Sequence, residues 1–240
     1  MRRVFAVTLL CLPTLALADC TELMIQWADQ LHPGRTFDAQ HSVCKVSPVD
    51  SVMKMAALVF IESEDADTAS YGLEVLTAHN NTIERHVYQS QAISSDAIRF
   101  EGLSLDTARY QLNRHTRAFG VRARYSGSSR VNPYSKTELS LYVEDGNTLR
   151  KVLDKFEIAS SGGEWDGNCA GAFYDTSSSL AIGKAVNKGY ATLLVTDTSS
   201  GSQVIYEDDD CTSKDSKPVQ NKYPMIYNGK QYQVPINKQG

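Results

Sequence analysis

The sequence predicts an all-β protein: an antiparallel, hairpin-rich sandwich, barrel or blade-like assembly preceded by one short N-terminal helix. Three observations carry that reading. Apolar residues alternate at period two, as in Phe119, Val121, Ala123 and Tyr125. Residues that tolerate tight turns recur between such runs, at Asn80-Asn81, Asp145-Gly146-Asn147 and Asn228-Gly229-Lys230. Helical spacing is found near the start, where Leu23, Met24, Trp27, Ala28 and Leu31 are closed off by His32-Pro33-Gly34.

Taken in order, the chain opens with Arg2 and Arg3 ahead of the apolar run Val4 to Leu17, and Ala16-Leu17-Ala18 has the small-x-small form read by signal peptidase. A signal peptide over 1–18, cleaved after Ala18, is therefore expected, and with it a bacterial periplasmic or secreted protein. The run is shorter than the ~20 apolar residues a spanning helix needs, so no transmembrane segment is expected after signal removal. Leu17-Ala18-Asp19-Cys20 has the outline of a lipidation box, but Asp19 stands where a small residue belongs. Cleavage removes Arg2 and Arg3 and takes the formal charge from −4 to −4 − 2 = −6. That balance argues against nucleic acid as a partner.

Cleavage also removes Cys11 and leaves Cys20, Cys44, Cys169 and Cys211, an even number for an oxidising compartment. Three pairings are open; the separation into an early and a late pair favours Cys20 with Cys44 and Cys169 with Cys211. No Cys-x-x-Cys is present, so neither a zinc knuckle nor a dithiol redox site is supported. Residues 19–240 carry no Pro-rich or Gly/Ser-rich linker and read as one β-rich domain ending in a polar hairpin.

The amphipathic helix spans Thr21 to Leu31, and Val52 to Ile61 is a nearly unbroken apolar strand ended by Glu62, Glu64, Asp65 and Asp67. Hairpins follow at Tyr71–His79 with Thr82–Gln89 and at Glu138–Glu144 with Thr148–Leu153. Two more are expected: Tyr190–Thr196 with Gln203–Tyr206 around Asp197 to Ser202, and Met225–Tyr227 with Gln231–Val234. The stretch Arg117 to Tyr142 organises the rest. Phe119, Val121, Ala123 and Tyr125 form an apolar face, Arg122 and Arg124 a basic one, and Ser126 to Pro133 a surface loop before the strand resumes at Leu139.

Asp106-Thr-Ala-Arg-Tyr-Gln-Leu112, Arg117-Ala-Phe-Gly-Val-Arg122, Tyr125-Ser-Gly-Ser-Ser-Arg130, Asn132-Pro-Tyr134 and Gly163-Glu-Trp-Asp-Gly167 with Cys169 together resemble a group of exported proteins of Gram-negative bacteria that carry no assigned function. The resemblance covers roughly the middle third of the chain and implies a periplasmic setting and no catalytic residues. The Ser-Gly-Ser-Ser loop also looks like the one with which periplasmic lysozyme inhibitors enter a muramidase cleft.

No Gly-x-Ser-x-Gly, His-Glu-x-x-His, phosphate-binding Gly-rich loop or dinucleotide fingerprint occurs, and the 5 histidines lack metal-ligand spacing. They read as ordinary surface histidines. Glu62 to Asp67 and Glu207 to Asp210 lack the alternating oxygen ligands of a calcium loop. No cofactor and no metal is expected. The candidate binding residues are Arg122, Arg124, Arg130 and Tyr134, supplying cationic and aromatic contacts, and Glu164, Trp165 and Asp166 on a glycine-rich loop from Ser160 to Gly171 pinned by Cys169. The function expected is binding of another protein or an envelope glycan by surface contact, with an inhibitor or immunity role as one version. A cell-envelope hydrolase with an unrecognised site, or a structural envelope protein, is the alternative.

Overall fold

The structure, a computed structural model, describes residues 20–207 and 209–235. The expected signal peptide and its cleavage point lie outside these residues. Helix α1 (Thr21–Leu31) precedes strands β1 (Thr36–Val46), β2 (Met53–Glu64), β3 (Ala69–His79), β4 (Thr82–Ser95), β5 (Ile98–Gln111), β6 (Arg117–Gly127), β7 (Tyr134–Asp145), β8 (Thr148–Trp165), β9 (Gly171–Asn187), β10 (Tyr190–Glu207), β11 (Asp210–Asp215), β12 (Val219–Tyr227) and β13 (Tyr232–Gln233). Pairing runs as an open path from β1 to β13 and does not close into a barrel. The recorded pairs are antiparallel except for one parallel contact of His86 in β4 with Thr148 in β8.

Side-chain alternation explains how so large a sheet buries itself. Met24, Trp27 and Ala28 of α1 lie against Ala56, Leu58, Phe60, Leu76 and Ala78 on one face of β2 and β3. The alternate residues Met55, Ala57, Leu73 and Val75 meet Leu105, Phe119, Val121, Tyr142 and Leu149 from β5 to β8. The far face of β7 and β8, with Leu139, Leu141, Val143 and Val152, meets Leu193, Val195 and Met225 from β10 and β12. The chain is thus layered as helix, β1–β4, β5–β8 and β9–β13. Both faces of β2 and β3 are covered, which is why β2 is a nearly continuous apolar run and the middle of β3 is buried at every position, Glu74 and Thr77 included.

Two cystines fix the periphery. Cys20–Cys44 (Cα–Cα 5.8 Å) ties the start of α1 to β1, and Cys169–Cys211 (5.6 Å) ties the β8–β9 loop to the β10–β11 tip. At its other side α1 is held by Trp27, whose indole N–H donates to the Asn81 carbonyl at 2.9 Å. No helix among the described residues is long and apolar enough to cross a membrane.

The expected turns at Asn80-Asn81, with φ of 48° and 68°, and at Gly146-Asn147, between paired Asp145 and Thr148, are present. Three expectations need correction. Asp197 to Ser202 is no turn: β10 runs unbroken through it, because β9 pairs along one edge while β12 and β11 pair successively along the other, satisfying its backbone despite the polar side chains. The turn lies instead at Lys188-Gly189, with φ of 48° and 91°. Likewise Ser160 to Gly171 is largely strand, since β8 pairs β9 as far as Trp165 opposite Gly171. Finally, Phe119, Val121 and Tyr125 are buried and Arg124 is exposed as expected, but the other side of β6 is basic only at Arg122 and Arg124, since Ala118 and Gly120 before them are buried in the middle layer.

Candidate functional site

The bulge in β8 sets up the main concavity. Lys155 adopts a φ of 46°, its N–H donates to Ser140 Oγ at 3.1 Å, and the β7–β8 register shifts there. As a result Leu153 and Phe156 both face the core while Asp154 and Lys155 are turned outward at one spot. Beside them opens a groove of about 1230 Å3 between β7–β8 and the β12–β13 hairpin. Tyr134, Glu138, Lys155 and Glu157 form one wall; Asp197, Tyr223 and Tyr232 form the other. A second hollow of about 390 Å3, reaching Ser94 and Asp96, shares Tyr134, Glu138 and Lys155, so these three stand where the hollows meet.

Two of the groove's carboxylates, Glu138 and Asp154, have lysine partners. Lys136 Nζ donates to Glu138 Oε1 at 2.6 Å and sits 4.9 Å from the Tyr125 ring centroid. Burial works against the Lys136 ammonium, but Glu138 outweighs it and holds the pKa above the usual range. Lys151 bonds Asp154 at 2.5 Å, and Asp197 accepts from Ser178 Oγ at 2.7 Å and from the Tyr223 hydroxyl at 3.4 Å. Burial and the neighbouring Asp197 push the Tyr223 phenol up; burial and Glu157 do the same to Tyr134. Both phenols therefore remain protonated donors at neutral pH. No histidine or cysteine is among the described residues lining the groove, and its Ser178 hydroxyl is spent on a carboxylate. Such an arrangement can hold a ligand through aromatic faces and hydrogen bonds.

Of the residues expected to bind, Tyr134 is on the groove. Arg122 is engaged in an internal ion pair, with its side chain 36% exposed. Its Nη2 and Nε donate to Asp106 Oδ2 at 2.6 and 3.0 Å, and that carboxylate also accepts from Tyr110 and the Ala108 N–H. Arg124 and Arg130 are exposed. Glu164 is exposed and shares a shallow hollow with Tyr134 and Tyr174. Trp165 is half-buried at the end of β8, its N–H donating to the Val131 carbonyl at 2.8 Å. Asp166 turns its carboxylate onto the N–H groups of Asn168 and Cys169 at 2.8 and 2.9 Å, closing the loop that carries the cystine. The structure thus brings Tyr134 and Glu164 together and separates them from Arg122.

Glu138, Asp154, Lys155, Glu157, Asp197, Tyr223 and Tyr232 were missed by the sequence reading. They come from distant strands brought together by the layering, and the bulge that turns Asp154 and Lys155 outward leaves no local signal in the sequence. The histidines also differ from expectation. Glu74, fully buried on β3, lies between His32 Nε2 at 2.7 Å and His86 Nδ1 at 3.2 Å. Beside it Glu62 turns inward to accept from the Tyr88 hydroxyl (2.7 Å), Ser90 Oγ (2.8 Å) and the Gln91 N–H (2.7 Å), while Arg35 bonds the same tyrosine. His32 thereby fastens the end of α1 to β3, while His86 on β4 keeps its side chain 46% exposed. Among the described residues no group of three or more His, Cys, Asp or Glu is placed to hold a metal.

No protein-family profile, no curated protein and no solved structure matches this chain.

Proposed function

We propose that the protein acts by binding: it is exported, and it captures an extended segment of another protein in the groove between β7–β8 and β12–β13, without chemistry. The observation that supports this best is the groove itself. It is open and lined by tyrosines and carboxylates, of which Asp197 already accepts from Ser178 and Tyr223 and Glu138 from Lys136, which favours recognition over turnover. An extended segment suits it because Val219–Lys222 of β12 pair only with β10 among the described residues, leaving a second backbone edge beside the groove. An inhibitor or immunity role towards a cell-wall-directed or membrane-directed toxin is the concrete version that the predicted export favours.

The test is retention of a partner from periplasmic extract on immobilised protein, with Tyr223→Ala, Glu138→Ala and Arg124→Ala compared. A protein retained by the parent and by Arg124→Ala but lost with Tyr223→Ala and Glu138→Ala is expected. Retention by all three variants would place the contact elsewhere, and binding of envelope glycan alone would replace the protein partner with a carbohydrate.

A further inference from the structure

On the opposite side of the middle layer from the groove, a separate cleft of about 510 Å3 opens between β2–β3 and β6, under the β1–β2, β5–β6 and β7–β8 connections. Its volume falls within the roughly 300–1,000 Å3 common to small-molecule sites. The inner wall is apolar: Met53, Met55 and Phe119, with Val49 at the mouth. Methionines of this kind adapt their shape to an aliphatic ligand. Polar residues complete the lining, Glu144 and His115 among them, and two of these residues lack the expected partners. Thr77 is 1% exposed, and its Oγ1 is the buried side-chain oxygen with no hydrogen-bond partner among the described residues. Native interiors rarely leave such a hydroxyl unsatisfied. The second is Arg117, half-buried on the lining. One guanidinium N–H donates to the Thr107 carbonyl at 2.9 Å, and no carboxylate bridges it among the described residues. By contrast the other arginine there, Arg85, is already balanced by Glu84 at 3.1 Å and Glu144 at 3.4 Å.

An aliphatic wall, one unsatisfied buried hydroxyl and one cation lacking a counter-charge define a ligand by complementarity. We propose that this cleft binds a small amphiphilic hydroxy acid, its alkyl chain against Met53, Met55 and Phe119, its hydroxyl bonded to Thr77 and its carboxylate paired with Arg117. The site is independent of the groove and of what the groove holds. An alkyl ammonium would face Arg117 and be rejected; an alkanol would lose the charge pairing.

Calorimetric titration of the mature, disulfide-bonded protein with β-hydroxyoctanoate, octanoate, octanol and octyltrimethylammonium tests this. β-Hydroxyoctanoate should bind one to one, octanoate about tenfold more weakly for the missing hydroxyl, octanol more weakly again, and the cation not at all. Thr77→Val should equalise the two acids without lowering Tm, and Thr77→Ser should restore the difference. Arg117→Gln should reduce both acids to the level of octanol. Failure of both acids to bind, equal affinity of the two acids for the parent, comparable binding of the cation, or acid affinities unchanged by Arg117→Gln would each overturn the assignment.

Discussion

Arg122 and Arg124 stand two positions apart on β6 and should respond oppositely to substitution. Arg122 neutralises Asp106, whose side chain is only 8% exposed, so Arg122→Gln strands a buried carboxylate and should cost about 2 kcal/mol. Arg124 is exposed, and Arg124→Gln should fall within about 0.5 kcal/mol of the parent; urea unfolding of both variants decides. Gly72 is a second sensitive position. A methyl there would collide with the Tyr88 hydroxyl and crowd Glu62, so Gly72→Ala should cost about 1–3 kcal/mol by the same assay. Acid should act on the same carboxylates. Burial raises both, but Asp106 is pulled below its ordinary value of 3.8 by the Ala108 N–H, Arg122 and Tyr110, and Glu62 below 4.5 by Tyr88, Ser90, the Gln91 N–H and Arg35. Groups depressed in the folded state contribute stability that is whole above the ordinary values and is lost as pH falls through the folded ones. Urea midpoints should therefore hold from neutral to mildly acid conditions and drop below that range, with a shallower drop in Asp106→Asn, whose neutral-pH stability is already lower.

At the scale of elements, one arginine fastens the C-terminal hairpin. Arg150, on β8, donates to Asp145 at 2.6 Å, to the Tyr227 hydroxyl at 2.7 Å and to the Lys230 carbonyl at 3.2 Å, joining the β7–β8 turn to β12 and the β12–β13 turn. Its guanidinium lies over the Tyr190 ring, which packs at a tilt of 36° against Tyr227 with centroids 4.5 Å apart. Arg150→Ala should lower the opening free energy of β12 and β13 by about 1–2 kcal/mol while β2 and β3 stay protected, as read by amide hydrogen exchange. Because that hairpin walls the groove, the same variant should also weaken partner capture. The elements were legible where local chemistry was decisive. Asn80-Asn81 and Gly146 tolerate the left-handed backbone their turns require, and the stripe through Trp27 marks a helix. They were illegible at β10, where Ser199-Ser200-Gly201-Ser202 looks like a turn but is held extended by neighbours on both edges.

For the whole molecule, the two cystines close separations of 24 and 42 residues and should each contribute roughly 3–4 kcal/mol by restricting the unfolded chain. Replacing Cys20 and Cys44 together by Ser should lower Tm and release α1, seen as increased quenching of Trp27, which is 2% exposed in the intact fold. Replacing Cys169 and Cys211 should loosen the β10–β11 tip and leave Trp27 shielded. The sequence by itself determined the all-β class, the single early helix and most of the turns, and favoured the cysteine pairing that the structure shows, because each depends on residues close in the chain or on a simple count. Only the tertiary structure decided that the strands stack into three layers under a helix, that Arg122 pairs with Asp106 and His32 with Glu74, and that a groove forms from β7, β8, β10, β12 and β13. Period-two alternation states that a strand has two faces; which neighbour covers each face depends on contacts far apart in sequence, and those leave no local mark.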